Sequence, residues 1–189
     1  MANLNIRSAK NNHAFFLKNV KLYQAVMMVV LGALFIALTA QLTIPLIPVP
    51  ITLQPLAVLL LSLFLGANLG SRAVLLYLFA GLCGLPVFAG LSSGLPIMLG
   101  PTGGYLIGFM GMVYFTGYLL QHGWNKSWFH IFAAALLGEV VLFIAGYLVL
   151  TYFVGYRNAY RFGIAPFYWI ELARLWVFVL IAIPFLRKK

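Results

Sequence analysis

Acidic side chains are nearly missing: Glu139 and Glu171 are the only two in 189 residues. No paired-acid arrangement for general acid–base hydrolysis and no carboxylate metal cage can be assembled from them in sequence. Cysteine is as scarce, and the single Cys83 excludes a disulfide framework and any multi-cysteine metal site. Charge of either sign is sparse, at 7% of residues where a soluble domain carries about 25%. No glycine loop of the G-x-x-x-x-G-K type is present to cradle a nucleotide, so any use of ATP falls to another polypeptide.

What fills the space is apolar. Hydrophobic residues make up 64% of the chain and the mean hydropathy is +1.04. This composition predicts an all-α integral membrane protein, one compact bundle, because only a helix satisfies its own backbone in hydrocarbon. The net charge of +10 invites a nucleic-acid reading. The basic residues instead gather at the chain ends and in short loops, where they set topology, so no nucleic-acid partner is expected and the partner is the bilayer.

Six spanning segments are predicted: 23–43, 53–67, 71–83, 102–120, 128–154 and 167–185. The second and third are short, as tilted or broken helices would be. They form a transmembrane domain over 23–186, flanked by a basic tail at 1–22 and a short tail at 187–189. The N-terminal stretch is expected to be a retained tail rather than a cleaved signal, with Phe15, Phe16 and Leu17 in an amphipathic turn. Six spans put both ends on one side with Arg7, Lys10, Lys18, Lys21, Arg72, Lys126, Arg187, Lys188 and Lys189. The other side holds Arg157 and Arg161. Nine against two predicts cytoplasmic termini in the cell (inner) membrane, multi-pass.

Two of the three external connections carry no charge. "TIPLIPVPITLQP" (Thr43 to Pro55) holds four prolines in thirteen residues, which makes it stiff and non-helical. "CGLPVFAGLSSGLPIMLGPTGGY" (Cys83 to Tyr105) is rich in glycine and proline and too apolar to be a solvated loop. Irregular backbone at membrane depth is tolerated where it is buried in protein or lines a cavity, and such interruptions point to a transporter's binding site. The two loops are read as a structured cover over an external pocket.

Glu139, Glu171 and Arg174 lie within the predicted spans, and charges persist there only when they face the bundle interior. Glu171 and Arg174 stand at i and i+3 on one helix face, about 6 and 10 Å below the external end at ~1.5 Å per residue. A carboxylate only accepts hydrogen bonds and a guanidinium only donates them, so together they suit a ligand with both N–H and carbonyl groups. They could equally neutralise each other, or Arg174 could pair with Glu139. An intramembrane enzyme would need Ser92, Ser93 or Thr102 beside a base. His13, His122 and His130 all fall on the opposite side, so no catalytic residue is expected. A membrane scaffold is the other non-transport reading.

The strings "ALFIALTAQLTIPLIPVPITLQPLAVLLLSLFLGANLG", "YLFAGLCGLPVFAGLSSGL" and "LGPTGGYLIGF" closely resemble the BioY family, the biotin-binding S components of energy-coupling-factor (ECF) transporters. The likeness runs from about Ala33 to Phe109 and returns weakly in the last helix. It implies a six-helix S-component fold that captures biotin from outside, with a transmembrane coupling protein and an ATPase pair driving uptake and no cofactor beyond the ligand. The family's Ala-x-x-x-Ala contact to the coupling protein maps onto Ala33 and Ala37. Its covering loops map onto Pro48 through Gln54 and Gly84 through Tyr105, with Ser92 as the polar residue of the second. The Asp and Lys usual in the last helix become Glu171 and Arg174 here, which leaves room for a related acyl-chain vitamin such as lipoate. On this reading Val87, Phe88, Leu91 and Tyr105 form the hydrophobic floor.

Overall fold

The structure is a computed structural model that describes residues 20–185. Residues 1–19 of the basic N-terminal tail, with His13 and the expected amphipathic turn at Phe15, Phe16 and Leu17, and the tail at 187–189 lie outside the described residues. Each of the six predicted segments holds a helix: α1 (Leu22–Ala40), α2 (Gln54–Phe64), α3 (Gly66–Leu82), α5 (Gly103–Leu119), α6 (Trp128–Val154) and α8 (Tyr168–Ala182). Two short helices not foreseen in the sequence join them, α4 (Leu95–Met98) and α7 (Tyr156–Gly163). Four helical runs are long and apolar enough to cross a membrane: Leu22–Ala40, Gly103–Trp124, Trp128–Val154 and Tyr156–Ala182. At 11 and 17 residues, α2 and α3 fall below that length.

A turn at Gly66 separates α2 from α3. Its φ of +71° is one that a residue with a Cβ rarely adopts, and Gln121 packs where a Cβ would lie. The chain reverses there, so that Leu61 of α2 faces Gly70 of α3. Helix α6 begins at Ser127, whose hydroxyl accepts from the His130 N–H at 3.4 Å and satisfies one of the helix's orphan donors. It ends at Gly155, where φ of +78° turns the chain into α7. Helix α7, which opens the last of those long runs, is two-faced: Ala159 and Gly163 are buried, while Arg157 and Arg161 face out.

The closest helix packing is between α5 and α6. Gly104, Gly108 and Gly111 lay a smooth strip along α5, and a Cβ at each would meet Ala145 O at 2.4 Å, Leu142 Cδ1 and O at 3.0 Å, and Val141 Cγ1 at 2.6 Å. Small residues at this spacing let two backbones approach, which drives helix association in lipid. Small residues serve the packing of α1 as well. Ala33 is buried in the core, Ala37 packs half-buried against it, and α1 lies against α3 with Gly32 over Ala73. The close approach is made inside the chain. The outward face of α1 is instead Leu31, Leu34, Phe35 and Leu38.

Outward residues elsewhere are equally apolar, including Phe79, Ile107, Leu148 and Leu180. In water such a surface would aggregate; in a bilayer it is solvated by lipid tails.

Candidate functional site

The proline-rich first loop folds into a small hairpin. Strand β1 (Thr43–Ile44) pairs antiparallel with β2 (Ile51–Thr52), and the turn between them carries Pro45, Pro48 and Pro50. The glycine-rich loop after α3 closes through a bridge from Phe88 to Ser92 around the turn Ala89–Leu91. Gln41, at the end of α1, holds that turn from below. Its Nε2 donates to the Phe88 carbonyl at 3.0 Å, and its Oε1 accepts from the Leu91 N–H at 3.0 Å. The sequence reading passed over Gln41, although a lone amide just after an apolar helix and before a charge-free loop was the available signal.

Hairpin, loop, α4, the starts of α2, α5 and α8 and the middle of α6 enclose a cavity of about 290 Å³. That is near the lower end of the roughly 300–1,000 Å³ of small-molecule pockets. Its walls are largely hydrophobic, from Val49, Phe88, Leu106, Phe109, Leu142 and Phe143. Tyr105 stacks on Phe167 with ring centroids 6.4 Å apart, and Phe143 meets both rings edge-on. The Tyr105 hydroxyl donates to the Gly163 carbonyl at 2.7 Å, which fixes the ring and ties α7 to the bundle. Phe88 sits edge-on to Tyr77 at 5.5 Å, in a space left by Gly81.

Glu171 and Arg174 both line this cavity, each 6% exposed. The guanidinium donates through Nη1 to Glu171 Oε1 and through Nη2 to the Thr52 carbonyl. Arg174 therefore pairs with its neighbour on α8 and also pins the hairpin to that helix. Glu171 Oε2 is buried with no hydrogen-bond donor. An acceptor left bare in an apolar pocket is costly unless something supplies a donor.

Gln54, Ser92, Tyr105 and Phe88, expected at the site, do line the cavity. Gln54 is held on both sides, donating to the Tyr77 hydroxyl at 2.6 Å and accepting from the Thr52 hydroxyl at 3.1 Å. The Ser92 hydroxyl donates to the Ala89 carbonyl at 2.8 Å. Val87 and Leu91, expected in the floor, do not line the cavity. In the tight turn between Phe88 and Ser92, Leu91, at φ 56°, points outward and is 67% exposed. Val87 contributes its backbone, with the carbonyl accepting from Gln41 at 3.4 Å. The floor is made instead by Leu106, Phe109, Leu142 and Phe143, helix residues that no sequence spacing singled out.

A model of the BioY family matches residues 9–188. The chain belongs to the BioY family. Among individual BioY proteins, it is 39% identical over 155 residues to "Probable biotin transporter BioY" of Pyrococcus horikoshii, covering 80% of this chain and 91% of that one. It is 38% identical to biotin transporter BioY of Thermotoga maritima, over 78% and 87% of the two chains. With biotin transporter BioY2 of Lactococcus lactis subsp. cremoris it shares 34% identity over 90% and 94%. Its fold matches a crystal structure of the S-component for biotin from an ECF-type ABC transporter, with a TM-score of 0.73 at 25% identity over 90% of this chain and 96% of that one. The fold of this BioY protein is thus the S-component fold, a helical membrane bundle with structured loops at one end.

Proposed function

We propose that this BioY protein is the substrate-specific component of a biotin uptake system. It captures biotin at the outer face of the cell (inner) membrane and delivers it to the cytoplasm, with a transmembrane coupling protein and an ATPase pair supplying the energy. It is a transporter component and not an enzyme. The nine-to-two distribution of basic residues supports cytoplasmic termini, with the hairpin end outside.

One observation carries the ligand assignment: a buried carboxylate, Glu171, and a guanidinium, Arg174, stand side by side on the wall of an apolar cavity. The ureido ring of biotin has two N–H donors and one carbonyl. Its N–H groups answer Glu171, and its carbonyl answers Arg174. The bicyclic body and the acyl chain lie against Phe88, Phe109 and Phe143. The valerate carboxylate meets Thr102, which lines the cavity at the N-terminus of α5, where the helix dipole favours an anion. The dithiolane of lipoate has no N–H to offer the Glu171 carboxylate, which favours biotin over the lipoate reading.

Calorimetry of the purified protein in detergent tests this. Biotin is expected to bind tightly and lipoate to give no heat, and Glu171→Gln is expected to weaken biotin by more than about tenfold, or about 1.4 kcal/mol. Equal affinity for the two acids, or no biotin heat from folded protein, would discard the assignment.

Gln41 supplies a second expectation. Gln41→Leu removes the amide that braces the Phe88–Ser92 turn and leaves the Leu91 N–H without its partner. Net hydrogen-bond contributions of about 0.5–1.5 kcal/mol each predict biotin binding weakened by roughly tenfold. The unfolding temperature is expected to change little, because the turn lies at the surface of the bundle. An unchanged dissociation constant would show that the turn does not shape the pocket.

A further inference from the structure

Glu139 has no part in the reading above, yet it is 3% exposed in the middle of α6. It lines a second, mostly apolar cavity of about 390 Å³ between α6 and α8, with Leu136, Val140, Leu172 and Leu175 among the walls. Glu171 borders both cavities, whereas Glu139 borders only this one. Glu139 therefore stands behind Glu171, one layer removed from the ligand. The two carboxyls line the same cavity, and Glu171 is paired with Arg174. Glu139 Oε1, like Glu171 Oε2, is buried without a conventional donor.

Charge balance limits what this cluster can be. Arg174, the cation beside Glu171 on α8, is engaged by Glu171 and the Thr52 carbonyl. Tyr147 of α6 and Tyr168 of α8 share the second cavity. From α5, the residues against this part of α6 are Met112 and Thr116, which meet Gly138 and carry no charge. Two carboxylates against one guanidinium would leave a buried charge uncompensated, which apolar surroundings penalise heavily. Two carboxyl groups can hydrogen bond to each other only when one of them carries a hydrogen. Glu171 holds the guanidinium, so the hydrogen belongs on Glu139.

We propose that Glu139 is a positioning residue of the ligand clamp: as a carboxylic acid it donates a hydrogen bond to the Glu171 carboxylate and fixes that group, with Arg174, in the orientation that accepts the ligand's N–H donors. The proposal rests on the biotin reading for its ligand, but not for its geometry.

Two measurements test it, one of them without ligand. Infrared spectra of the ligand-free protein are expected to show the C=O stretch of a buried carboxylic acid, and Glu139→Gln is expected to remove it. In calorimetry, Glu139→Gln keeps an N–H donor toward Glu171 and cannot lose its hydrogen as pH rises. Its biotin affinity is expected to stay within about threefold of the wild type at neutral pH, and Glu139→Leu, which has no donor, to lose at least tenfold. Raising the pH strips the hydrogen from the wild type, so its affinity is expected to fall while that of Glu139→Gln stays level. Absence of the acid band overturns the proposal. So does equal weakening by Gln and Leu, or a pH response in Glu139→Gln that matches the wild type. If wild-type protein binds no biotin, the biotin reading fails separately, and the infrared band alone decides the arrangement of the two carboxyls.

Discussion

Arg174→Ala is expected to raise the dissociation constant for biotin by at least about 100-fold, equivalent to about 2.7 kcal/mol. The side chain performs two tasks that alanine removes together. It compensates Glu171 inside a cavity that is mostly apolar, and it holds the Thr52 carbonyl of the hairpin that forms one wall. Removing one partner of a buried pair leaves the other charge uncompensated, at a cost of about 3–5 kcal/mol. Thermal unfolding is expected to fall as well, since α8 loses its tie to the hairpin. Arg174→Lys separates the two contributions. Lysine restores the charge but is a point donor, so it cannot span both the carboxylate and the carbonyl as a planar fork does. Its affinity is expected to lie between those of wild type and alanine. Wild-type affinity in the alanine variant would show that the pair is structural only.

Gly104→Ala is expected to be the most destabilising single-methyl change along the α5–α6 contact. The added Cβ would lie 2.4 Å from the Ala145 carbonyl oxygen and 2.7 Å from Val149 Cβ, so the helices must separate. Overpacking costs about 1–3 kcal/mol, and the upper end applies where the obstacle is backbone that cannot rotate away. At about 2–4 °C per kcal/mol for a chain of this size, the unfolding temperature is expected to fall by roughly 5–10 °C. Gly111→Ala is the comparison. It lies on the same strip, but its obstacle is Val141 Cγ1 at 2.6 Å, the end of a side chain. A smaller fall is expected there, and equal falls would show that backbone approach is not what fixes the helix pair. Binding is expected to suffer too in Gly104→Ala, because Tyr105, the next residue, forms part of the pocket wall.

The helical segments were legible because lipid removes the alternatives. Backbone in hydrocarbon must satisfy itself, so apolar length alone marks α1, α5, α6 and α8 to within a few residues. Glu171 and Arg174 were legible for the same reason, since a charge in that setting has to face inward. The loops gave only their character: four prolines predicted stiff backbone between Thr43 and Pro55 but not the hairpin pairing of Thr43 with Thr52. Val87 and Leu91 were misplaced because an apolar residue in a turn carries no mark of which way it points. The bridge from Phe88 to Ser92 decides that, and it is held by Gln41, 47 residues from Phe88 in the chain.

By itself, the sequence determined the solvent, the six helical segments, and the inward facing of the charges on α8. Each follows from local chemistry against a fixed medium: apolar length, proline stiffness and the cost of an ion in hydrocarbon. Only the tertiary structure decided which face of each element is used. It brought the Thr52 carbonyl to Arg174 from 122 positions away, set Glu139 behind Glu171 on a different helix, and gave the pocket its floor from α5 and α6. Those arrangements depend on how close two backbones can come, and that is set by the Cβ atoms missing at Gly81, Gly104 and Gly108, where the neighbouring chain occupies the space.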